Sequence, residues 1–478
     1  MKLRNIFIGS LLLSTAFAAV AQKRGVSENQ FQYKAQMEAL ADGVFWFYNW
    51  GCTVGRYLED VPGIEFVPMC WNGNYNADAI REYCASHPEI KYLLGFNEPN
   101  FTNQANMTPQ AAAEAWGGVK ALAEELGLKL VAPAMNYSPN PPYQDPLKWM
   151  DEFVALVGLD AFDYMAVHSY GGFGVMKDLA EKFHDRYGKD IWVTEFCYWP
   201  EEGNPNSTVS PASQIGVMMQ SLEWLEKTDW IFRYAWFKAI GDSSASKGPN
   251  YGLLIPGRAE DPRELSEQGL VYLNMSTFDP EEFHSINTVV PAYKYITQSA
   301  ALLGSCNDTE CGFPIEFSRF NAGAYADYQF DVPASGDYTL GVRVSGIGEP
   351  SRFNPTIGIF SVNDEGEESE LATPLQFDLS GSDDIYDSVN FSVKLNPGKQ
   401  TIRIKDANPY QPSGIRISAL TLSDGGAGIA AFHAGNLDYV DVYSLQGVCL
   451  RRHVSIAEAQ KDLPEGIYII GNKKTIIK

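Results

Sequence analysis

Two glutamates sit where apolar strands are expected to end. Glu98 closes the run Tyr92-Leu93-Leu94-Gly95-Phe96-Asn97-Glu98-Pro99-Asn100, and Glu195 closes Asp190-Ile191-Trp192-Val193-Thr194-Glu195-Phe196. Pro99 lacks a backbone donor and biases the residue before it towards extended backbone, so the first strand should stop at Glu98. In a barrel of parallel strands, those C-terminal ends form the catalytic face. Two carboxyl groups there, about 5–5.5 Å apart, are what retaining cleavage of a glycosidic bond requires. Glu98 is expected to be the proton donor, with Phe96 and Pro99 as apolar neighbours favouring its protonated form. Glu195 is the expected nucleophile. Asn97 is placed to donate to a sugar 2-hydroxyl, and Tyr170 to hydrogen-bond Glu195 and keep it ionised. His168 lies two residues before Tyr170, on the same side of its strand, and is a candidate contact or else a structural histidine.

Aromatic residues gather at the same ends. Trp50, Trp71, Tyr137, Tyr170, Trp199 and Trp236 all fall at or just past an expected strand end. Aromatic faces stack on the C–H faces of sugars, and Tyr and Trp keep a polar edge for hydrogen bonds. One such residue is more often core than site; six on one face point to a saccharide cleft.

The elements that must position these groups alternate between strand and helix, which predicts a (β/α)8-type TIM barrel within the α/β class. Strands are expected at 43–50, 64–70, 92–97, 129–135, 162–167, 190–196 and 230–235, with a short extra one at 251–255. Helices are expected at 77–86, 109–126, 147–157, 175–187, 211–227 and 265–275. Residues 23–42 read as polar, with a short helix at 31–41. Only about a dozen residues separate the first two strands, too few for a crossover helix. The first half of the barrel is therefore expected to be irregular. From about residue 289 helices give way to short alternating β-branched runs, the pattern of an all-β jelly-roll sandwich. A glycine-rich linker at 424–428 precedes a small β unit, with a turn at Gln446-Gly447. The expected domains are a signal peptide at 1–21, the barrel at 22–285, the sandwich at 289–423 and the C-terminal unit at 427–478.

The basic start, the apolar stretch from Ile6 to Ala18 and Ala19-Val20-Ala21 make a secretory signal, so the chain is expected outside the cell or on its surface after export through the periplasm. No later stretch reads as a membrane span. The formal charge of -23 excludes a nucleic-acid partner, since phosphates would meet no basic stripe. The seven cysteines are odd in number, so at least one is unpaired within the chain. Cys306 and Cys311 flank a turn-rich insert and are candidates for a local disulfide. No CxxC spacing or histidine pair suggests zinc, and no metal or cofactor is expected.

The segments Gly95-Phe96-Asn97-Glu98-Pro99-Asn100 and Val193-Thr194-Glu195-Phe196, with Tyr48-Asn49-Trp50-Gly51, His168-Ser169-Tyr170 and Leu265-Ser266-Glu267-Gln268-Gly269, resemble glycoside hydrolase family 128 over residues 40–280. That family belongs to the clan A retaining barrels and acts on β-1,3-glucan. The resemblance implies an endo-β-1,3-glucanase with Glu98 as acid/base and Glu195 as nucleophile. In that clan the two follow the fourth and seventh strands. The count above puts them after the third and sixth, which implies an undetected strand before Glu98. Residues 289–423 resemble a family 6 carbohydrate-binding module through Pro291-Ala292-Tyr293-Lys294-Tyr295-Ile296 and Tyr325-Ala326-Asp327-Tyr328-Gln329-Phe330. There Arg416 stands where that family has a sugar-contacting asparagine. Residues 427–478 resemble a type IX secretion C-terminal sorting domain through Val440-Asp441-Val442-Tyr443-Ser444-Leu445-Gln446-Gly447 and Leu463-Pro464-Glu465-Gly466-Ile467-Tyr468, which implies that secretion machinery as a partner during export. The alternatives are another clan A activity, such as a mannanase or mixed-linkage glucanase, and a non-catalytic surface glycan-binding protein.

Overall fold

The computed structural model describes residues 23–424, apart from residue 30 and 56–62, 202–207, 242–249, 256–263, 347–354, 379–380 and 409–413, together with most of 439–477. The expected signal peptide and the expected Gln446-Gly447 turn lie outside the described residues.

Eight parallel strands form a barrel: β1 (Arg24–Ser27), β2 (Trp46–Tyr48), β3 (Glu65–Phe66), β4 (Tyr92–Leu94), β5 (Lys129–Met135), β6 (Tyr164–Ser169), β7 (Ile191–Phe196) and β8 (Ile231–Phe237). Their order is β3-β2-β1-β8-β7-β6-β5-β4. The backbone beyond β3 closes the ring: Leu94 N–H donates to Pro68 O and Cys70 N–H to Leu94 O, both at 2.9 Å, with a parallel bridge at Met69 and Leu94. β7 is buried along its whole length, as expected of a parallel strand covered on both faces.

The helices outside it are α1 (Lys34–Glu38), α2 (Ala77–Ser86), α3 (Pro109–Leu126), α4 (Pro146–Val157), α5 (Phe173–Tyr187), α6 (Pro211–Lys227) and α7 (Glu267–Asn274). Three of them begin alike. Thr108, Asp145 and Ser210 each accept a backbone N–H of the first turn, and each is followed by a proline whose missing donor costs nothing there. Gly127 and Gly188 end α3 and α5 in the left-handed conformation.

The strand absent from the sequence reading is β1. Of Arg24, Gly25, Val26 and Ser27 only Val26 is a large apolar residue, so the segment has no strand-like pattern. All four are nevertheless buried, because tertiary partners satisfy the polar ones. The Arg24 guanidinium donates to Tyr234 Oη at 3.0 Å and Met275 O at 3.2 Å, and pairs with Glu226 at 3.1 Å. Gly25 is required by the Trp46 ring, which would lie 2.3 Å from a Cβ at that position. Counting β1 puts Glu98 after the fourth strand and Glu195 at the end of the seventh. Between β2 and β3 the described residues hold no helix. The extra strand expected at 251–255 is reduced to isolated bridges at Leu254.

Ten further strands, β9 (His284–Ser285) to β18 (Ile415–Ser423), build the sandwich. They pair antiparallel except β9, which runs parallel to β12 (Ile315–Val332). β11 (Thr297–Ser305) rests on the barrel. Thr297 Oγ1 donates to Glu223 of α6 at 2.6 Å, and the Ser305 N–H to Glu267 of α7 at 3.1 Å. Arg416 is turned inward: its Nε donates to Glu316 at 2.6 Å and its Nη2 to Ser305 O at 3.1 Å. Cys306 and Cys311 are separate thiols, against the expected disulfide. Cys306 Sγ contacts Glu316 Oε2 at 3.4 Å, whereas Cys311 Sγ lies 3.9 Å from Ser418 Oγ. Each has its own polar partner inside the sandwich. Four antiparallel strands between Tyr439 and Ile477 form a separate C-terminal sheet. No described helix is long and apolar enough to cross a membrane.

Candidate active site

The C-terminal ends of the strands surround a cleft of about 930 Å³. Glu98, Glu195, Asn97, Tyr170, Trp50, Trp71, Tyr137 and Trp199 all line it.

Glu195 is the more heavily held carboxylate. Tyr48 Oη and Trp50 Nε1 each donate to its Oε1 at 2.8 Å, and Tyr170 Oη donates to its Oε2. Burial raises the Glu195 pKa. The facing His168 lowers it, Glu98 raises it, and the hydrogen bonds from Tyr170 and Trp50 lower it. The carboxylate is thus desolvated, with donors aimed at its charged form.

Glu98 has a polar surround, not the apolar one expected from its sequence neighbours. Asn136 Nδ2 donates to its Oε1 at 3.2 Å, while Phe96 faces the helix layer and packs edge-on against Trp116 at 5.2 Å. In a regular strand residues 96 and 98 would share a face, but β4 ends at Leu94, and the chain beyond it turns the two side chains apart. The backbone also departs from the extended form expected before Pro99. Glu98 has φ of 41°, a left-handed value uncommon for a residue with a Cβ. Such strain costs on the order of 1–3 kcal/mol and clusters at functional sites. Here the Glu98 N–H is held by Ala134 O at 3.0 Å. Trp50, on the other side of the cleft, also has a positive φ, of 60°.

His168 is fully buried and does not line the cleft, so it is not a substrate contact. It lies beneath both acids, with Nδ1 3.0 Å from Glu98 Oε1 and Nε2 3.4 Å from Glu195 Oε1. One imidazole reaching both places the two carboxylates within about 9 Å of each other, inside the range of carboxylate pairs in glycosidases.

Trp236 is the other departure. It is fully buried, donates its indole N–H to Tyr251 O at 2.7 Å, and packs on Phe196 at 5.2 Å. The next residue, Phe237, faces the cleft instead. One residue of register separates a cleft aromatic from a core one. Asn97 lines the cleft, with its Nδ2 donating to Gln104 Oε1 at 3.2 Å and its buried Oδ1 without a partner among the described residues. Tyr137 stands at an exposed edge, its hydroxyl 3.4 Å from Asp178 Oδ2.

Sequence reasoning missed several residues of the site. Tyr48 lies two positions before Trp50 and so shares its strand face, a signal that was available. Asn136 directly precedes Tyr137. Phe101 and Gln104 come from the loop after β4 and carried no pattern. Asn29 and Lys238 were invisible because they flank the strand pair β1–β8, half of which was unrecognised.

Comparison with known proteins agrees with this geometry. Residues 25–268, just over half of the chain, match the family model described as the glycosyl hydrolase catalytic core. No curated protein matches. Among solved structures, the chain is similar to a family 128 (subgroup II) endo-β-1,3-glucanase from Pseudomonas viridiflava, with 34% identity over 54% of this chain and 98% of that one and a TM-score of 0.48. It is also similar to a subgroup II endo-β-1,3-glucanase from Sorangium cellulosum, with 31% identity over 53% and 98% and a TM-score of 0.46. A subgroup I endo-β-1,3-glucanase from Amycolatopsis mediterranei, in complex with laminaritriose, shows 28% identity over 53% and 98% and a TM-score of 0.43. A barrel carrying two buried glutamates at one mouth, matched by that model along its length, belongs to the glycosyl hydrolase catalytic core family and is a glycoside hydrolase.

Proposed function

We propose that the chain is an exported retaining endo-β-1,3-glucanase acting by double displacement. The observation that carries this reading is the pair of buried glutamates, both in contact with His168, at an aromatic-lined cleft. In the first step a Glu195 oxygen attacks the anomeric carbon. The glycosidic C–O bond breaks, and Glu98 gives its proton to the departing oxygen. In the second step Glu98, now a carboxylate, takes a proton from water. The water oxygen attacks the anomeric carbon, and the bond to Glu195 breaks. The three donors around Glu195 support a fixed nucleophile rather than a base that must handle a water. Asn97, whose amide oxygen has no partner among the described residues, is suited to a sugar hydroxyl.

β-1,3-Glucan is the substrate of the family whose motifs the sequence resembles. The cleft volume lies near the upper end of ordinary ligand sites, with room for more than one sugar, which favours internal cleavage of a chain. Residues 1–21 and 427–478 supply export and sorting in this reading, and 289–423 form a carbohydrate-binding-module-like domain. With Arg416 committed to Glu316, that domain would have to bind sugar, if at all, without the usual asparagine.

The test is product analysis on laminarin, curdlan, mixed-linkage glucan and β-mannan, with wild type and Glu195→Gln. Release of laminari-oligosaccharides, first as the β-anomer by NMR, and its loss in the variant are expected. Cleavage of mannan alone refutes the substrate, and an initial α-anomer refutes retention. Tight glucan binding without any hydrolysis refutes the enzyme.

A further inference from the structure

The cleft holds a cation that the two-glutamate chemistry does not use. Lys238 directly follows β8, is 8% exposed, and lines the same cleft as Glu98 and Glu195. Its Nζ lies 3.6 Å from Glu28 Oε1. Glu28 follows β1 and is fully buried, and its Oε2 accepts the Ile240 N–H at 2.6 Å. At 3.6 Å the pair is an ionic contact rather than a close hydrogen bond, and an ammonium has three donors. Glu28 therefore fixes where the ammonium sits and offsets its charge while leaving donors to face the cleft. Among the described residues lining the cleft, Lys238 is the one basic side chain.

We infer that Lys238 is a specificity-determining residue that donates to hydroxyl oxygens of a neutral sugar on the glycone side of the scissile bond. This rests on the function proposed above. The nucleophile bonds to the glycone, whereas the acid reaches the leaving sugar. Lys238, Asn29 and Trp50 follow the adjacent strands β8, β1 and β2, and Trp50 donates to the nucleophile. The cleft residues beside Glu98, including Phe101, Gln104 and Tyr137, come from the loops after β4 and β5. The arc that carries Lys238 is thus the glycone arc. The buried countercharge selects the ligand class: an unpaired lysine would attract an acidic sugar, whereas this pair presents donors with little net charge.

The experiment compares wild type, K238M and K238R on laminaripentaose and on 4-nitrophenyl β-laminaribioside, whose sugars all lie on the glycone side. Losing one hydrogen bond from a charged donor predicts a fall in kcat/KM of about 10- to 100-fold for K238M on both substrates, with recovery of most of it by K238R. K238M leaves the buried Glu28 without its countercharge and is expected to unfold at a lower temperature, whereas K238R keeps the charge, so rates are compared at a temperature where every variant is folded. If K238M does not fold, K238Q is read by the same criteria. An effect on laminaripentaose alone moves Lys238 to the leaving-group side and overturns the inference. Wild-type rates on both substrates overturn it while leaving the function intact. A wild type inactive on both overturns the function, and the inference with it.

Discussion

Tyr170→Phe tests the electrostatics of the site most directly. The substitution removes one hydroxyl and leaves the ring that packs on Trp199 and Phe237. What is lost is the hydrogen bond to Glu195 Oε2, one of the contacts that hold its pKa down against burial. A hydrogen bond to a charged group contributes about 1.5–3 kcal/mol, and one pH unit corresponds to about 1.36 kcal/mol. The Glu195 pKa should therefore rise by about 1–2 units, since the fully buried pair Tyr48 and His168 cannot move in to replace the hydroxyl. With Glu195 as the proposed nucleophile, catalysis needs it ionised, so activity should appear as pH rises through its titration, on the acid limb of the profile. That limb should move to higher pH by about 1–2 units. The assay is kcat/KM against pH on an aryl laminaribioside, where product release does not mask the chemistry. An acid limb unmoved within about 0.3 units in a folded variant, or moved to lower pH, would refute the reasoning.

Glu195→Gln should change stability in a pH-dependent way. The folded pKa is raised, so wild type loses stability as pH climbs from the unfolded value of about 4.3 through the folded one. The variant escapes that loss; its melting temperature should equal wild type near pH 4 and exceed it at pH 7, as calorimetry across pH would record. Arg24→Met strands Glu226 and several carbonyls in the core, and urea unfolding should register a loss of about 3–5 kcal/mol. Burial pushes the Cys311 thiol up to about 12, and that of Cys306 higher still, so both should resist alkylation in the folded protein. Both should label once the protein is unfolded without reductant; a disulfide-linked peptide in the mass spectrum would contradict the structure.

What could be read from the sequence follows a physical division. Strands β4 to β8 are long apolar runs with polar ends, and helices such as α3 carry their own caps, so local pattern suffices for them. The sandwich strands β13 (Gly336–Gly346) and β18 alternate or run apolar and were equally plain. The edge strand β15 (Glu368–Gln376) is polar and was missed, since one side of it meets no partner strand among the described residues and little of it is buried. β1 was missed for a related reason, its polar residues being compensated by partners some two hundred positions away.

By itself the sequence determined which chemistry the chain can perform. The types of residue at strand ends, two glutamates with an asparagine and tyrosines, are local facts that need no fold. Only the tertiary structure decided which of them meet. Side-chain parity sent Trp236 into the core and Phe237 into the cleft, and closure of the ring brought Tyr48 onto Glu195. It also placed His168, open in the sequence between a sugar contact and a structural histidine, as a buried link between the acids. The reason is that burial of a polar group is favourable only with a partner, and partners are set by contacts far apart along the chain.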